Sequence, residues 1–149
     1  MDNNNLSFQI CRTQDEFESA KDGYQAVLEG LGKNIIQKIG NVELGKTVEI
    51  FIRDRENKPV GGVIGQIFGG WLYVSFLWVD EPLRNKGNGT KLLKMIENEA
   101  VKNGCKHVHL DTFSFEARPF YEKNGYKLFA TLENYLEGHS KYFLKKKLS

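Results

Sequence analysis

Trp71-Leu72-Tyr73-Val74-Ser75-Phe76-Leu77-Trp78-Val79 runs into Asp80-Glu81-Pro82-Leu83 and then Arg84-Asn85-Lys86-Gly87-Asn88-Gly89-Thr90. Apart from Ser75, the first nine residues are apolar at both alternating positions, which predicts a central strand covered on both sheet faces. Gly89–Asn103 places Leu92, Leu93, Ile96, Ala100 and Val101 on one stripe, while Lys91, Lys94, Glu97, Asn98 and Lys102 fall mostly elsewhere. That is the pattern of an amphipathic helix, and Gly104 stands where a helix C-terminal glycine belongs.

The turn between strand and helix has chemical consequences. Gly87 and Gly89 let the backbone turn tightly and face several N–H groups outward at a helix N-terminus, where about half a positive charge is exposed. Arg84 and Lys86 add full charges. Such a turn suits a pyrophosphate; a plain glycine turn is the alternative reading. The P-loop spacing and the Gly-x-Gly-x-x-Gly dinucleotide order are both absent.

Upstream, Leu6–Arg12 alternates Leu, Phe and Ile against Ser and Gln and predicts a first strand. Thr13, with Glu16 three positions later, predicts a capping box opening a helix to about Glu29. Gly30, Gly32 and Gly40 predict short helices next. Thr47–Arg53 and Val60–Phe68 read as strands about a turn at 54–59, and Gly69-Gly70 as a two-residue hairpin. Downstream, Lys106–Thr112 reads as a strand and Pro119–Lys123 as a short helix. Tyr126–Leu132 and Lys141–Leu148 read as a closing antiparallel pair. This order argues an α/β fold with a mixed sheet. No repeat or linker divides residues 1–149, which read as one domain.

Hydrophobic residues make up 40% and charged residues 27% of the 149, a globular balance. The net charge of +2 is too small to argue a nucleic-acid footprint, and Lys145-Lys146-Lys147 reads as a solvated strand end. The longest apolar run is far below the roughly 20 residues of a membrane span, and Met1–Asn5 has neither feature of a signal peptide. Cys11 and Cys105 read as reduced thiols. We expect a cytoplasmic protein without nucleic-acid or membrane partners; exposed edges in a small sheet leave a homodimer open.

Arg84-x-x-Gly87-x-Gly89, preceded by Leu77-Trp78-Val79-Asp80-Glu81, resembles the acetyl-coenzyme A binding motif of the GNAT superfamily of N-acetyltransferases. Leu110-Asp111-Thr112 and Ala117-Arg118-Pro119-Phe120-Tyr121-Glu122-Lys123-Asn124-Gly125-Tyr126 resemble its later motif, which ends in Tyr-Glu-Lys-x-Gly-Phe/Tyr. Element order and spacing agree from about residue 47 onward; residues 1–46 match only as a loose strand and helices. The resemblance implies a single-domain GNAT-like fold, its mixed sheet of six to seven strands flanked by about four helices.

The resemblance also implies roles. Acetyl-coenzyme A would be the acyl donor, its pyrophosphate on the N–H groups of Asn85, Lys86, Gly87, Asn88, Gly89 and Thr90, with Arg84 as flanking charge. Its pantetheine arm would pair with the strand end Leu77-Trp78-Val79 like an added strand. The Val79 N–H would polarise the thioester carbonyl, and Tyr121 would be the acid that protonates the departing thiolate. Many members carry a cofactor-binding Asn seven positions before that tyrosine, where Ser114 stands here. Some carry a Glu base four positions before Leu77; Tyr73 stands there, so that assignment does not transfer. Asp80, Glu81, His109 and Asp111 remain candidate bases.

Tyr73 and the segment 132–139 border the acceptor side in this resemblance. Glu133 and Glu137 would favour a cationic acceptor, and His139 could sense protonation. The acceptor would be a primary amine of a small molecule or peptide. A catalytically silent acyl-coenzyme A sensor is the alternative. His107 and His109 sit two apart on one strand without further ligands at metal spacing, so no metal is expected.

Overall fold

A computed structural model describes residues 6–40 and 45–148. They fall into two compact units, one before residue 43 and one after.

In the first unit, the predicted capping box forms: Glu16 N–H donates to Thr13 Oγ1 at 3.3 Å, and Thr13 N–H to Glu16 Oε2 at 3.0 Å. It opens α1 (Gln14–Ser19), which breaks at Ala20 before α2 (Lys21–Ile39). The expected short helices are thus one of 19 residues, running through Gly30 and Gly32 to Gly40 at φ 85°. A helical glycine costs about 1 kcal/mol against alanine, less than ending the helix, whereas Gly40 takes up the left-handed turn. The strand expected at Leu6–Arg12 is not formed. Its alternation lacks a partner strand, and Phe8 is 92% exposed.

The second unit is a six-stranded sheet in the order β1-β2-β3-β4-β6-β5. The strands are β1 (Lys46–Arg53), β2 (Pro59–Phe68), β3 (Trp71–Val79), β4 (His107–Phe113), β5 (Lys127–Leu132) and β6 (Lys141–Lys147). All neighbours are antiparallel except β3 and β4. Gly69 and Gly70 (φ 58° and 78°) make the β2–β3 hairpin, as two positive-φ residues should. Helix α3 (Asn88–Lys102) buries Leu92, Leu93, Ile96 and Ala100 against Val63, Leu72, Val74 and Leu110 of the sheet. It comes down on Gly65, where a Cβ would sit 2.8 Å from both Ile96 Cδ1 and Leu72 Cδ1.

Two readings of the helix change. Val101 is half-exposed, and Glu97 is buried on the core face. Burying a carboxylate requires partners, and Glu97 has them: Tyr126 Oη donates to it at 2.8 Å, and Lys146 Nζ lies 2.9 Å away. Helix α4 (Arg118–Lys123) follows β4.

The sheet is irregular where it matters. Ser75 has no partner in the β2–β3 register, which passes from Gly65↔Val74 to Ile64↔Phe76. This bulge shifts the phase of β3, leaving Phe76 70% and Trp78 52% exposed. The expectation of cover on both faces therefore fails for the second half of the strand. Parallel pairing of β3 with β4 ends at Val74↔Leu110, although β3 continues to Val79 and β4 to Phe113. The two strands part there.

Candidate active site

Beyond that parting lies a cleft of about 490 Å³. Leu77, Trp78 and Val79 of β3 form one wall, the turn after β3 closes an end, and Glu116, Ala117, Phe120 and Tyr121 form a second wall.

The turn is shaped by its own side chains. Asp80 accepts from the Glu81 N–H at 2.9 Å and starts one 3₁₀ turn at Glu81–Leu83. Asn85 (φ 57°) and Gly87 (φ 81°) then take left-handed conformations, which Asn tolerates and Gly adopts freely. Lys86 Nζ donates to Pro82 O at 2.8 Å, and Asn88 Nδ2 to Leu83 O at 2.9 Å. These two side chains brace the turn and do not line the cleft, whereas Arg84, Asn85, Gly87, Gly89 and Thr90 do. Helix α3 makes its first bond from Lys91 N–H to Gly87 O at 3.0 Å. Among the described residues, none of the N–H groups of Asn85–Thr90 has a protein acceptor. A row of free donors at the positive end of a 15-residue helix fits a diphosphate. Arg84 is partly committed elsewhere: its Nε donates to Val79 O at 2.9 Å, tying the turn to the strand end.

That bond also orients Val79. The Asp80 N–H donates to Val60 O at 2.9 Å on the β2 side. Backbone groups alternate along a strand, so the Val79 N–H faces away from β2, toward the open side where β4 has parted.

Tyr121 on α4 is buried and lines the cleft. Its ring meets Phe120 and Tyr126 edge-on, with centroids 5.1 and 5.8 Å away. Burial pushes its hydroxyl up to about 12, with the charges of Glu116 and Asp111 adding to the effect. The phenol therefore holds its proton at neutral pH. Tyr126 is raised further by burial and by Glu97, and stays neutral as a packing partner.

The remaining predicted residues lie elsewhere. Ser114 does not line the cleft; its Oγ accepts from Ser140 N–H at 3.1 Å and lies 3.4 Å from His139 Nδ1. Glu133 and Glu137 are exposed on the segment between β5 and β6 and also lie outside the lining. His139 packs edge-on against Phe115, centroids 4.8 Å apart. Tyr73 faces away from α3 and donates to Asp111 Oδ2 at 2.8 Å; its ring stacks on His109 at 4.9 Å. Asp111 Oδ1 lies 3.1 Å from Lys141 Nζ. That ammonium in turn sits 5.2–5.9 Å from the ring centroids of Tyr135, Phe143 and Phe113. Of the candidate bases, Asp80 is occupied as a cap and Glu81 is exposed, while His109 and Asp111 stand together beside the parting strands. Glu116 was missed by sequence reasoning. Its only signal was its place between the end of β4 and the aromatic pair of α4. No group of three or more His, Cys, Asp or Glu side chains among the described residues could hold a metal ion.

Comparison with known proteins bears on the family of the chain. Residues 14–126 match the model of the Acetyltransferase (GNAT) family. An acetyltransferase of Agrobacterium fabrum is 37% identical over 68% of this chain and 74% of its own length. A blasticidin-S acetyltransferase of Streptomyces morookaense is 36% identical over 59% of this chain and 65% of its own. The crystal structure of an acetyltransferase from Bacillus cereus superposes with a TM-score of 0.73 at 33% identity, covering 95% of this chain and 97% of that one.

Proposed function

This chain belongs to the GNAT acetyltransferase family and is an acetyl-coenzyme A dependent acyltransferase; on that premise we propose that it transfers the acetyl group by direct attack to a primary amine of a small molecule or peptide. The observation that carries this reading is the placement of a free N–H row, the outward Val79 N–H and the protonated Tyr121 around one cleft. Bound there, acetyl-coenzyme A supplies an activated thioester.

The protein's own groups do the rest. The N–H groups of Asn85–Thr90 hold the diphosphate. The Val79 N–H donates to the thioester oxygen as charge develops on it; loss of one such donor costs about 3–4 kcal/mol in other acyl-transfer enzymes. Tyr121 gives its proton to the leaving sulfur. The acceptor must shed a proton before attack. For an alkyl ammonium of pKa near 10.4 this costs about 4.6 kcal/mol at pH 7, at 1.36 per unit. Of the candidate groups we assign this part to Asp111, whose carboxylate is held by Tyr73 and Lys141, and to the neighbouring His109, which would together receive the ammonium and its proton. We place the reaction in the cytoplasm, consistent with the free thiols of Cys11 and Cys105.

The test is thiol release from acetyl-coenzyme A across a panel of primary amines, among them polyamines, amine-bearing antibiotics and peptides. Turnover with at least one class, yielding an N-acetyl product by mass spectrometry, supports the reading. Tight coenzyme A binding without turnover on any amine would establish the sensor instead.

A further inference from the structure

At the far end of the sheet from the cleft, Trp71, His107, Gly125, Lys127, Lys145, Lys146 and Lys147 line a second cavity of about 560 Å³. Its floor is a stacked ring pair, Trp71 on His107, with centroids 4.6 Å apart and planes at 19°. Its rim is basic, with lysines on two strands. Lys127 of β5 lies directly opposite Lys145 of β6, and Lys147 lies opposite His107 of β4. Like charges set directly across a ladder destabilise it. Neither residue of the 127–145 pair, nor Lys147, has a carboxylate partner among the described residues. Glu97, the acid that Lys146 of this rim engages, is held by Lys146 and Tyr126. Lys145 rests on the Phe129 ring at 5.2 Å, which shields the charge without neutralising it. The chain's overall charge of +2 shows that this concentration is local.

We propose that this cavity binds a compact anion bearing two or more phosphate groups, independently of the cleft. Lys127, Lys145 and Lys147 supply charge-assisted donors, and the volume lies in the small-molecule range of roughly 300–1,000 Å³. The Trp71–His107 floor offers an apolar surface on which a planar ring can lie. The ligand is therefore a polyphosphate with or without a base attached. No bond is made or broken; the site is one of binding.

The experiment titrates inorganic tripolyphosphate, and separately ATP, into the protein carrying one molar equivalent of coenzyme A, enough to fill the main cleft while leaving the second cavity open. The two tryptophan indole N–H signals and the histidine ring signals are followed by NMR at low salt. Trp71 and His107 should shift saturably while Trp78, in the cleft wall, stays still. Lys127→Gln combined with Lys145→Gln should weaken binding at least tenfold. Lys127→Arg with Lys145→Arg should retain it, and Lys58→Gln with Lys94→Gln, an equal charge change on the same unit outside the cavity lining, should not weaken it. ATP binding more than tenfold tighter than tripolyphosphate identifies a base-bearing ligand; equal affinity identifies the phosphates alone. If Trp71 and His107 do not shift, or if the remote pair weakens binding as much as the rim pair, the site does not exist. Melting curves on each variant separate lost binding from lost fold.

Discussion

Tyr73 donates its hydroxyl hydrogen to Asp111 Oδ2 at 2.8 Å just where β3 and β4 cease to pair. The bond bridges the two strands at the root of their divergence. Lys141 extends it to β6 through the other carboxylate oxygen. Burial, then the bond and charge of Asp111, push the Tyr73 hydroxyl up to about 12, so it remains the donor at neutral pH. If Asp111 receives the acceptor, Asp111→Asn should raise the acceptor KM at least tenfold and leave coenzyme A affinity within about twofold. Calorimetry with coenzyme A and steady-state kinetics with the best amine check this. An unchanged acceptor KM removes Asp111 from the acceptor site.

Tyr121→Phe keeps the ring between Phe120 and Tyr126 and removes the proton. General acid catalysis is worth about 10²–10⁴-fold, and a thiolate of pKa near 8.5 is already a fair leaving group. We expect single-turnover rates to fall about 100-fold with little change in melting temperature. Because the wild-type hydroxyl sits near 12, ionisation of this tyrosine should cause no rate loss below pH 10. A threefold or smaller rate change with a good acceptor would show that Tyr121 is not the acid.

Gly87 stands at φ 81° with open space where a Cβ would go. Gly87→Asn adds bulk that left-handed backbone tolerates; Gly87→Asp adds the same bulk and a negative charge. The Asp variant should bind coenzyme A at least tenfold more weakly than the Asn variant, about 1.4 kcal/mol, at equal helix content. Equal affinities measured by calorimetry would move the diphosphate elsewhere.

Gly65→Ala places a methyl 2.8 Å from Ile96 and Leu72 side-chain carbons and 3.1 Å from the Tyr73 carbonyl. Overpacking of this kind costs about 1–3 kcal/mol, and the melting temperature should fall by several degrees. Gly69→Ala, with open space at the hairpin, should lose less, since its cost is backbone strain alone. A melting temperature for Gly65→Ala equal to wild type would contradict the packing of α3 on β2.

Burial lowers the His109 imidazole below its usual 6.5, against the opposing charge of Asp111. The unfolded chain therefore takes up this proton at a higher pH than the folded one. The stability involved is complete above about 6.5 and is lost as pH falls from there through the lowered folded value. Wild type should lose melting temperature between pH 7 and 5 more steeply than His109→Gln. Parallel curves would assign the acid sensitivity to other groups.

Much of this was legible in the chain. The capping box at Thr13, the Gly69-Gly70 hairpin, the boundaries of α3 and the Arg84–Thr90 turn are set by local chemistry: caps, left-handed residues and apolar period. The two motifs also marked Val79 and Tyr121, two residues of short local segments that the fold brings to the lining of one cleft. Tertiary structure decided the rest. Alternation at Leu6–Arg12 could not make a strand without a partner to pair with. Glu97 reads as a surface residue until Tyr126 and Lys146, 29 and 49 positions away, meet it. The cleft exists because the Ser75 bulge and the end of pairing at Val74↔Leu110 spread two strands apart. Strand register is a property of neighbours, and no single segment contains it.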